Sequence, residues 1–198
     1  MTPETLRHCL ATIEPNGWND GPAAEPGDGP LIPAAVLIPL VTHAHGLAAI
    51  LTQRTEHLND HAGQVSFPGG RHEPRDDGPV ATALREAHEE IGLAPDTVEI
   101  IGMLDAQDTS TGFSVVPVVG LVAPVYSLAL DDFEVAEAFE VPLEFLFDGR
   151  NKRREEMFWR GRLRVYDVYD DYEGHKVWGV TARIIGSLQE AVTNVTKS

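Results

Sequence analysis

Within GGRHEPRDDGPVATALREAHEEIGL, residues 69 to 93, the carboxylates Glu86, Glu89 and Glu90 fall close together in the chain. On a helix, at about 100° per residue, Glu86 lies between the other two, and the set spans roughly 100° within about one turn. Like charges three and four residues apart repel, and near a helix C-terminus the dipole disfavours them by about 0.3–1 kcal/mol each. A face of that kind calls for a cation. Carboxylate oxygens with neither thiolates nor a histidine cluster beside them favour the hard divalent ions Mg²⁺ or Mn²⁺, which proteins share with substrate phosphates. The expected chemistry is therefore phosphate chemistry; a solvated acidic helix face is the competing reading for the glutamates taken alone.

Local signals place these carboxylates on a helix. Val80, Ala83, Leu84, Ala87 and Ile91 recur at helical spacing as an apolar stripe that the glutamates avoid, so the stripe is the buried face. Asp76 or Asp77 is expected to cap the start, Pro79 suits the first turn, and Gly92 followed by Pro95 supplies the stop. Ahead of the helix, Phe67-Pro68-Gly69-Gly70 reads as a turn whose glycines let backbone approach a ligand closely. Arg54 and Arg71 flank that turn and are the candidate cations for an anionic substrate. Ordinary surface charge is the alternative for each.

Gly70, Arg85, Glu86, Glu89, Glu90, Gly92 and Leu93 match the Nudix box, G-x5-E-x7-R-E-U-x-E-E-x-G-U with U aliphatic, and the segment resembles the Nudix hydrolase superfamily. Asp76 stands where the pattern has its first glutamate, one extra residue precedes Arg85, and Ala87 replaces a bulkier aliphatic. The preceding LTQRTEHLNDHAGQVSFPGG, residues 51 to 70, is similar to the segment found before the box in the coenzyme A pyrophosphatase subgroup. Leu51, Thr52, Arg54, Gly63, Phe67, Pro68, Gly69 and Gly70 fit it, whereas Thr55 and Asn59 depart from it. Residues 104 to 120, 134 to 148 and 177 to 185 also resemble that subgroup, so the likeness extends over most of the chain from about residue 31.

The resemblance implies a Nudix-type α/β/α sandwich, with a mixed sheet between helices, over residues 31–198. An N-terminal helix and a Gly/Pro-rich lead-in occupy residues 1–30. It implies hydrolysis, dependent on Mg²⁺ or Mn²⁺, of the pyrophosphate bond in coenzyme A or a derivative, giving 3′,5′-ADP and a 4′-phosphopantetheine product. Water would displace one phosphate from the other in line. The expected catalytic set is Glu86, Glu89, Glu90 and Arg85. Metal is expected at Glu86 and Glu90, helped by Glu89 and the Gly70 carbonyl, and substrate at Arg54, Arg71, Gly69 and Gly70. By the same resemblance Arg85 orients the box carboxylates rather than touching substrate. Glu134 and Glu137, in the acidic stretch DDFEVAEAFE at 131 to 140, are further candidates for a metal ligand or general base; a plain solvated stretch is the other reading. Alternatives to coenzyme A are another nucleoside diphosphate derivative such as ADP-ribose or NADH, a non-catalytic nucleotide-sensing module on the same fold, and an acidic interaction protein.

Composition bounds these expectations. A chain of 198 residues, 42% hydrophobic, is near the size of one domain and can bury one substantial core. Its net charge of −16 repels nucleic-acid backbones and anionic lipids, so the expected partner is a small-molecule nucleotide, with no nucleic acid and no membrane. Cys9 is the sole cysteine, which excludes an internal disulfide, and its N-terminal segment reads as peripheral. Residues 31 to 50 are apolar but interrupted by Pro33, Pro39, His43, His45 and Gly46, which fits two strands joined by a turn better than a membrane span. MTPETLRHCL lacks the apolar core of a signal peptide, so a cytoplasmic location is expected. Oligomeric state stays open, a homodimer included.

A helix is expected over 3 to 14, strands around 33 to 41, 47 to 53, 98 to 104, 113 to 122 and 162 to 170, and a closing helix from about 177 to 193. His43 and His45 would share one side of a strand, as two metal ligands do, yet a turn beginning at Gly46 explains them as surface residues. His88 is rotated about 200° from Glu86 and is expected in solvent. The sequence has no P-loop, no G-x-S-x-G elbow and no paired Cys-x-x-Cys, which leaves kinase-like, serine-hydrolase and zinc-finger readings without support.

Overall fold

The computed structural model describes residues 1–18, 30–57, 62–159 and 161–195; Asn59 and most of the Gly/Pro-rich lead-in lie outside the described residues. In chain order the elements are α1 (Pro3–Leu10), β1 (Ile32–His43), β2 (Gly46–Arg54), β3 (Val65–Ser66), β4 (Gly69–Arg71), α2 (Gly78–Ile91), β5 (Val98–Met103), β6 (Gln107–Asp108), β7 (Phe113–Val122), β8 (Val135–Pro142), α3 (Leu143–Phe147), β9 (Lys152–Trp159), β10 (Arg162–Tyr169) and α4 (Gly179–Val195).

β1 organises the sheet. On one edge it pairs antiparallel with β2, Leu40 opposite Ala49, and with β4, Ala35 opposite Gly70. On the other it runs parallel to β7, from Ile32 beside Phe113 to Val41 beside Val122. A strand so enclosed must be apolar on both sides, which is why 31 to 50 reads as continuously hydrophobic. Its alternation sorts the core into two layers: Ile38 and Leu40 join one cluster, and Ala35, Leu37 and Val41 the other. The first cluster packs under α1, α3 and α4 through Leu6, Leu10, Leu146, Ile185 and Leu188. The second packs under α2 through Ala83, Ala87 and Ile91. The result is the expected sandwich of a mixed sheet between helices.

The hairpin expected within 31 to 50 is present, with Ala44 and His45 as its two-residue turn and His43 opposite Gly46. His43 and His45 are exposed, and His43 Nε2 lies 2.5 Å from Glu140 Oε2. Each strand expected from the sequence corresponds to one of β1, β2, β5, β7 and β10. Three expectations need correction. The acidic stretch 131 to 140 is no simple solvated loop, since β8 begins within it and pairs with β2 from Ala48–Pro142 to Arg54–Val135. The first helix stops at Leu10, where the Thr12 hydroxyl donates to the Cys9 carbonyl and Pro15 follows without an N–H to continue the ladder. Nor is that helix peripheral: Cys9 is 1% exposed and α1 lies against α4 and β5. Gly102 permits this approach, because a Cβ there would sit 2.8 Å from Leu10 Cβ.

Among the described residues no helix is long and apolar enough to cross a membrane.

Candidate metal and phosphate site

The site is built where α2 meets the strand that precedes it. Pro79 falls in the first turn of α2, and Gly92 ends the helix in the left-handed conformation, φ 68°, its N–H reaching the Ala87 and His88 carbonyls. The cap differs from expectation. Asp77 occupies the cap position without a side-chain hydrogen bond, and Asp76 is turned inward for another purpose.

Three glutamates that look equivalent in sequence occupy three environments. Glu90, at the edge of the apolar stripe, is 6% exposed and accepts a 3.0 Å hydrogen bond from the Gly69 backbone N–H. Burial pushes its carboxyl up to about 7, against the pull of Gly69 N–H and Arg54 and with added repulsion from Glu86 and Glu134. Glu86 is partly buried over Gly70 and accepts from Arg85 Nη1 at 2.9 Å; desolvation also raises its pKa. Glu89 is 49% exposed as a side chain and is held by Arg75 at 3.2 Å and Arg85 at 2.9 Å. His88 is exposed, as its angular position requires.

Arg85 is the fastener of this region. Its Nε and Nη2 donate to the two oxygens of Asp76, each at 2.9 Å, Nη1 donates to Glu86 and Glu89, and Nη2 also reaches the Arg71 carbonyl at 2.8 Å. Asp76 additionally accepts from the Glu73 N–H and the Thr82 hydroxyl, both at 3.0 Å. The Arg85 guanidinium, foremost among these donors, holds the Asp76 carboxyl far below the usual carboxylate range. The aspartate in place of the pattern's glutamate thus has a defined role: it anchors Arg85 from the loop.

The glycine turn works through close approach. A Cβ on Gly69 would lie 2.4 Å from the Ala35 carbonyl oxygen and 2.5 Å from Val36 Cα, both backbone atoms of β1. A Cβ on Gly70 would instead meet the Glu86 carboxylate at 2.6 Å. The two positions should therefore fail differently. Gly69→Ala is expected to lose about 1–3 kcal/mol of stability from overpacking against β1. Gly70→Ala should keep the fold but displace Glu86 and slow turnover by at least about tenfold, since misplacement of order 1 Å can cost about a hundredfold. Paired thermal melts and rate measurements on the two variants separate these outcomes.

The remaining expected residues divide. Arg54 is in the site, with Nη1 3.5 Å from Glu90 Oε1 and Nη2 3.8 Å from Glu134 Oε2. Arg71 contributes its carbonyl to Arg85, while its guanidinium lies 5.4 Å from the Phe113 ring centroid. Glu134 is fixed by its backbone: the Glu134 carbonyl accepts from Thr55 N–H at 3.0 Å, and the preceding turn is tied to α2 through Asp131 N–H and the Glu90 carbonyl at 2.9 Å. Glu137 is not brought together with the box glutamates. It lies on the opposite side of β8, 3.1 Å from His175 Nε2, where His175 stacks on Phe139 beneath the first core cluster. Sequence reasoning missed the shell around Asp76, where His72 Nδ1 lies 3.1 Å from the Thr82 hydroxyl and the Trp18 ring lies 4.5 Å from His72. Trp18 belongs to the aperiodic lead-in, and only an aromatic isolated among polar residues marks it out.

Among the described residues no three His, Cys, Asp or Glu side chains form a closed ligand cage. The donor set nevertheless fits a hard divalent ion that keeps open positions for water and phosphate. Glu86 and Glu90 are desolvated carboxylates that repel each other and Glu134, a cost a divalent cation removes. All their ligating atoms are oxygen.

Comparison with known proteins agrees with this geometry. The NUDIX domain family matches residues 31–159. An "Uncharacterized Nudix hydrolase NudL" of Citrobacter koseri is 42% identical over 166 residues, covering 78% of this chain and 80% of the relative. A protein of the same description from Escherichia coli is 44% identical over 157 residues, with coverage of 78% and 80%. In structure, the Mycobacterium smegmatis Nudix hydrolase RenU superposes with a TM-score of 0.52 at 19% identity, over 64% of this chain and 81% of that one. The Nudix hydrolase of Alicyclobacillus acidocaldarius gives 0.51 at 16% identity, over 85% and 96%. With the box glutamates seated on the glycine turn and the family match spanning most of the sheet, the chain belongs to the Nudix hydrolase family.

Proposed function

We propose that the protein hydrolyses the pyrophosphate bond of coenzyme A or a close derivative with Mg²⁺ or Mn²⁺, giving 3′,5′-ADP and a 4′-phosphopantetheine product. The observation that carries the reaction is the seating of Glu86 and Glu90 on the Gly69-Gly70 backbone, with Glu134 linked to Glu90 through Arg54. Glu86 and Glu90 are desolvated carboxylates, and a Cβ on Gly70 would collide with Glu86. The substrate class is supported by Arg54 and the Phe67–Gly70 turn, residues of the segment that resembles the coenzyme A subgroup, both of which lie at these carboxylates.

In this reading Glu86 and Glu90 would hold the ion, with the Gly70 carbonyl beside them. When bound, the ion supplies charge neutralisation for both phosphoryl groups and acidifies a water. Arg85 keeps Glu86 and Glu89 in register and is itself immobilised by Asp76. Arg54 offers a guanidinium to a phosphate oxygen. In this reading Glu134, 43% exposed as a side chain and with its backbone tied to Thr55 and Asp131, would take the proton as a water oxygen bonds to one phosphorus and the bond to the bridging oxygen breaks.

The test is turnover of a panel containing coenzyme A, acetyl-coenzyme A, ADP-ribose, NADH and nucleoside triphosphates with Mg²⁺ or Mn²⁺, products being separated chromatographically. Coenzyme A or its acyl form should have the highest kcat/KM. Equal or faster turnover of ADP-ribose would reject the coenzyme A assignment and leave the hydrolase assignment in place.

A further inference from the structure

Apart from Arg75, which pairs only with the exposed Glu89 among the cluster glutamates, two guanidinium groups serve the carboxylate cluster, and they are held in different ways. Arg85 is locked by hydrogen bonds of 2.8–2.9 Å to Asp76, Glu86, Glu89 and the Arg71 carbonyl. Arg54, by contrast, stands 3.5 Å from Glu90 and 3.8 Å from Glu134, longer than the roughly 2.7–2.9 Å of a charge-assisted hydrogen bond. It is therefore an electrostatic neighbour without a tight bond. Its position is nonetheless built. The pairing of β2 with β8 slips between Gln53 and Arg54, so that Arg54 lies opposite Val135 rather than Ala136. Thr55 then fixes the chain at Phe133 and Glu134 through 2.8 Å and 3.0 Å bonds. This irregularity seats one loosely bonded cation between the buried carboxylate of Glu90 and the more exposed carboxylate of Glu134.

We propose that Arg54 is the resident counter-ion of Glu90 and Glu134, that a divalent cation displaces it, and that the displaced guanidinium is then presented to the substrate phosphate. The inference rests on the metal-site reading above and adds an exchange to it. A buried carboxylate such as Glu90 with a second carboxylate beside it is costly without a cation, so the metal-free protein needs a substitute charge. That substitute must be weakly bonded or the ion could not compete, and it must stay near enough to be useful afterwards. Arg54 meets both conditions, whereas Arg85, locked by its hydrogen bonds, fails the first. The exchange also orders events: metal first releases the arginine, and the arginine then recognises the anion.

Binding of Mn²⁺ alone, followed by electron paramagnetic resonance without substrate, tests the exchange. In Arg54→Gln the competing charge is gone, and Mn²⁺ should bind at least about tenfold more tightly than to wild type, because a unit charge about 4 Å away is worth several kcal/mol even in a partly polar setting. Arg54→Lys keeps the charge and should bind within about threefold of wild type. Arg54→Gln should at the same time raise KM for the pyrophosphate substrate. In the wild-type protein, titration with Mg²⁺ should move the Arg54 Nε–H resonance much further than that of Arg85, whose Nε stays bonded to Asp76. Mn²⁺ affinity unchanged or weaker in Arg54→Gln overturns the exchange, as does an unmoved Arg54 resonance at saturating Mg²⁺, a readout that needs no variant to fold. Loss of Mn²⁺ binding in Glu90→Gln with an unmoved Arg54 would refute the exchange alone. Unaltered Mn²⁺ binding in Glu90→Gln would refute the metal site itself.

Discussion

Replacing Glu90 with Gln is expected to lower kcat/KM by at least about 10³-fold while leaving the fold no less stable. The amide is nearly isosteric, keeps an oxygen for the Gly69 N–H, and removes a charge that burial already disfavours. What it cannot supply is an anionic ligand, and a loss of about 4 kcal/mol in transition-state stabilisation corresponds to that rate change. Steady-state kinetics at saturating Mg²⁺ together with a urea unfolding curve test both halves. Glu89→Gln serves as the internal comparison: its side chain is exposed and already held by Arg75 and Arg85, so the rate should fall by far less. If Glu90→Gln kept its rate within about threefold of wild type, the metal role of the box would be wrong.

The second large effect concerns stability. Arg85→Met should destabilise the protein by about 3–5 kcal/mol, because it strands the Asp76 carboxylate, whose side chain is 4% exposed, without its cation. The same pair sets an acid dependence whose sign follows from the direction of the shift. The folded-state pKa of Asp76 is depressed below its ordinary 3.8, chiefly by hydrogen bonds from Arg85. Its contribution is therefore fully present above the unfolded value and is lost as the pH falls below about 4 toward the folded value. Asp76→Asn should be less stable at neutral pH and lose less of its remaining stability between about pH 4 and pH 2. Thermal midpoints measured across that range would show the two curves converging; parallel curves would mean that Asp76 does not titrate with folding.

Much of this was legible in the sequence because two apolar patterns carried it. The continuous apolar run of β1 and the 3.6-residue stripe on α2 mark a strand buried on both sides and the buried face of a helix, and both are found buried. The helical wheel even holds the distinction among the glutamates: Glu90 lies about 60° from Ala87, whereas Glu89 lies about 200° away. Angle alone does not give depth, however, and the near burial of Glu90 depends on the Gly69 turn closing over it. Glu134 and Glu137 show the complementary limit. Side-chain alternation within a strand separates neighbours across the sheet, but the slip at Gln53 and Arg54 that sets which face each residue takes leaves no mark in composition. The inward turn of Asp76 was hidden for another reason: an aspartate before a helix reads locally as a cap, and only the distant Arg85 makes it more valuable as a bridge. β8 was obscured by its acidic setting: Glu137 and Glu140 interrupt a strand that follows directly on Asp131, Asp132 and Glu134 and is paired along one edge.

The docking of α1 has a consequence for how the molecule is made. Cys9 Sγ faces the Val192 carbonyl at 3.8 Å across 183 residues of sequence, so the helix that carries it is synthesised long before the helix it rests on. At about 5–20 residues per second, the interval on a ribosome is about 10–40 seconds. Throughout it Leu6, Cys9 and Leu10 lack the α4 side of their packing. A nascent chain arrested before Gly179 should therefore react readily with a thiol reagent, while the finished protein resists it. Cysteine labelling thus becomes a clock for the step at which the two helices close the core.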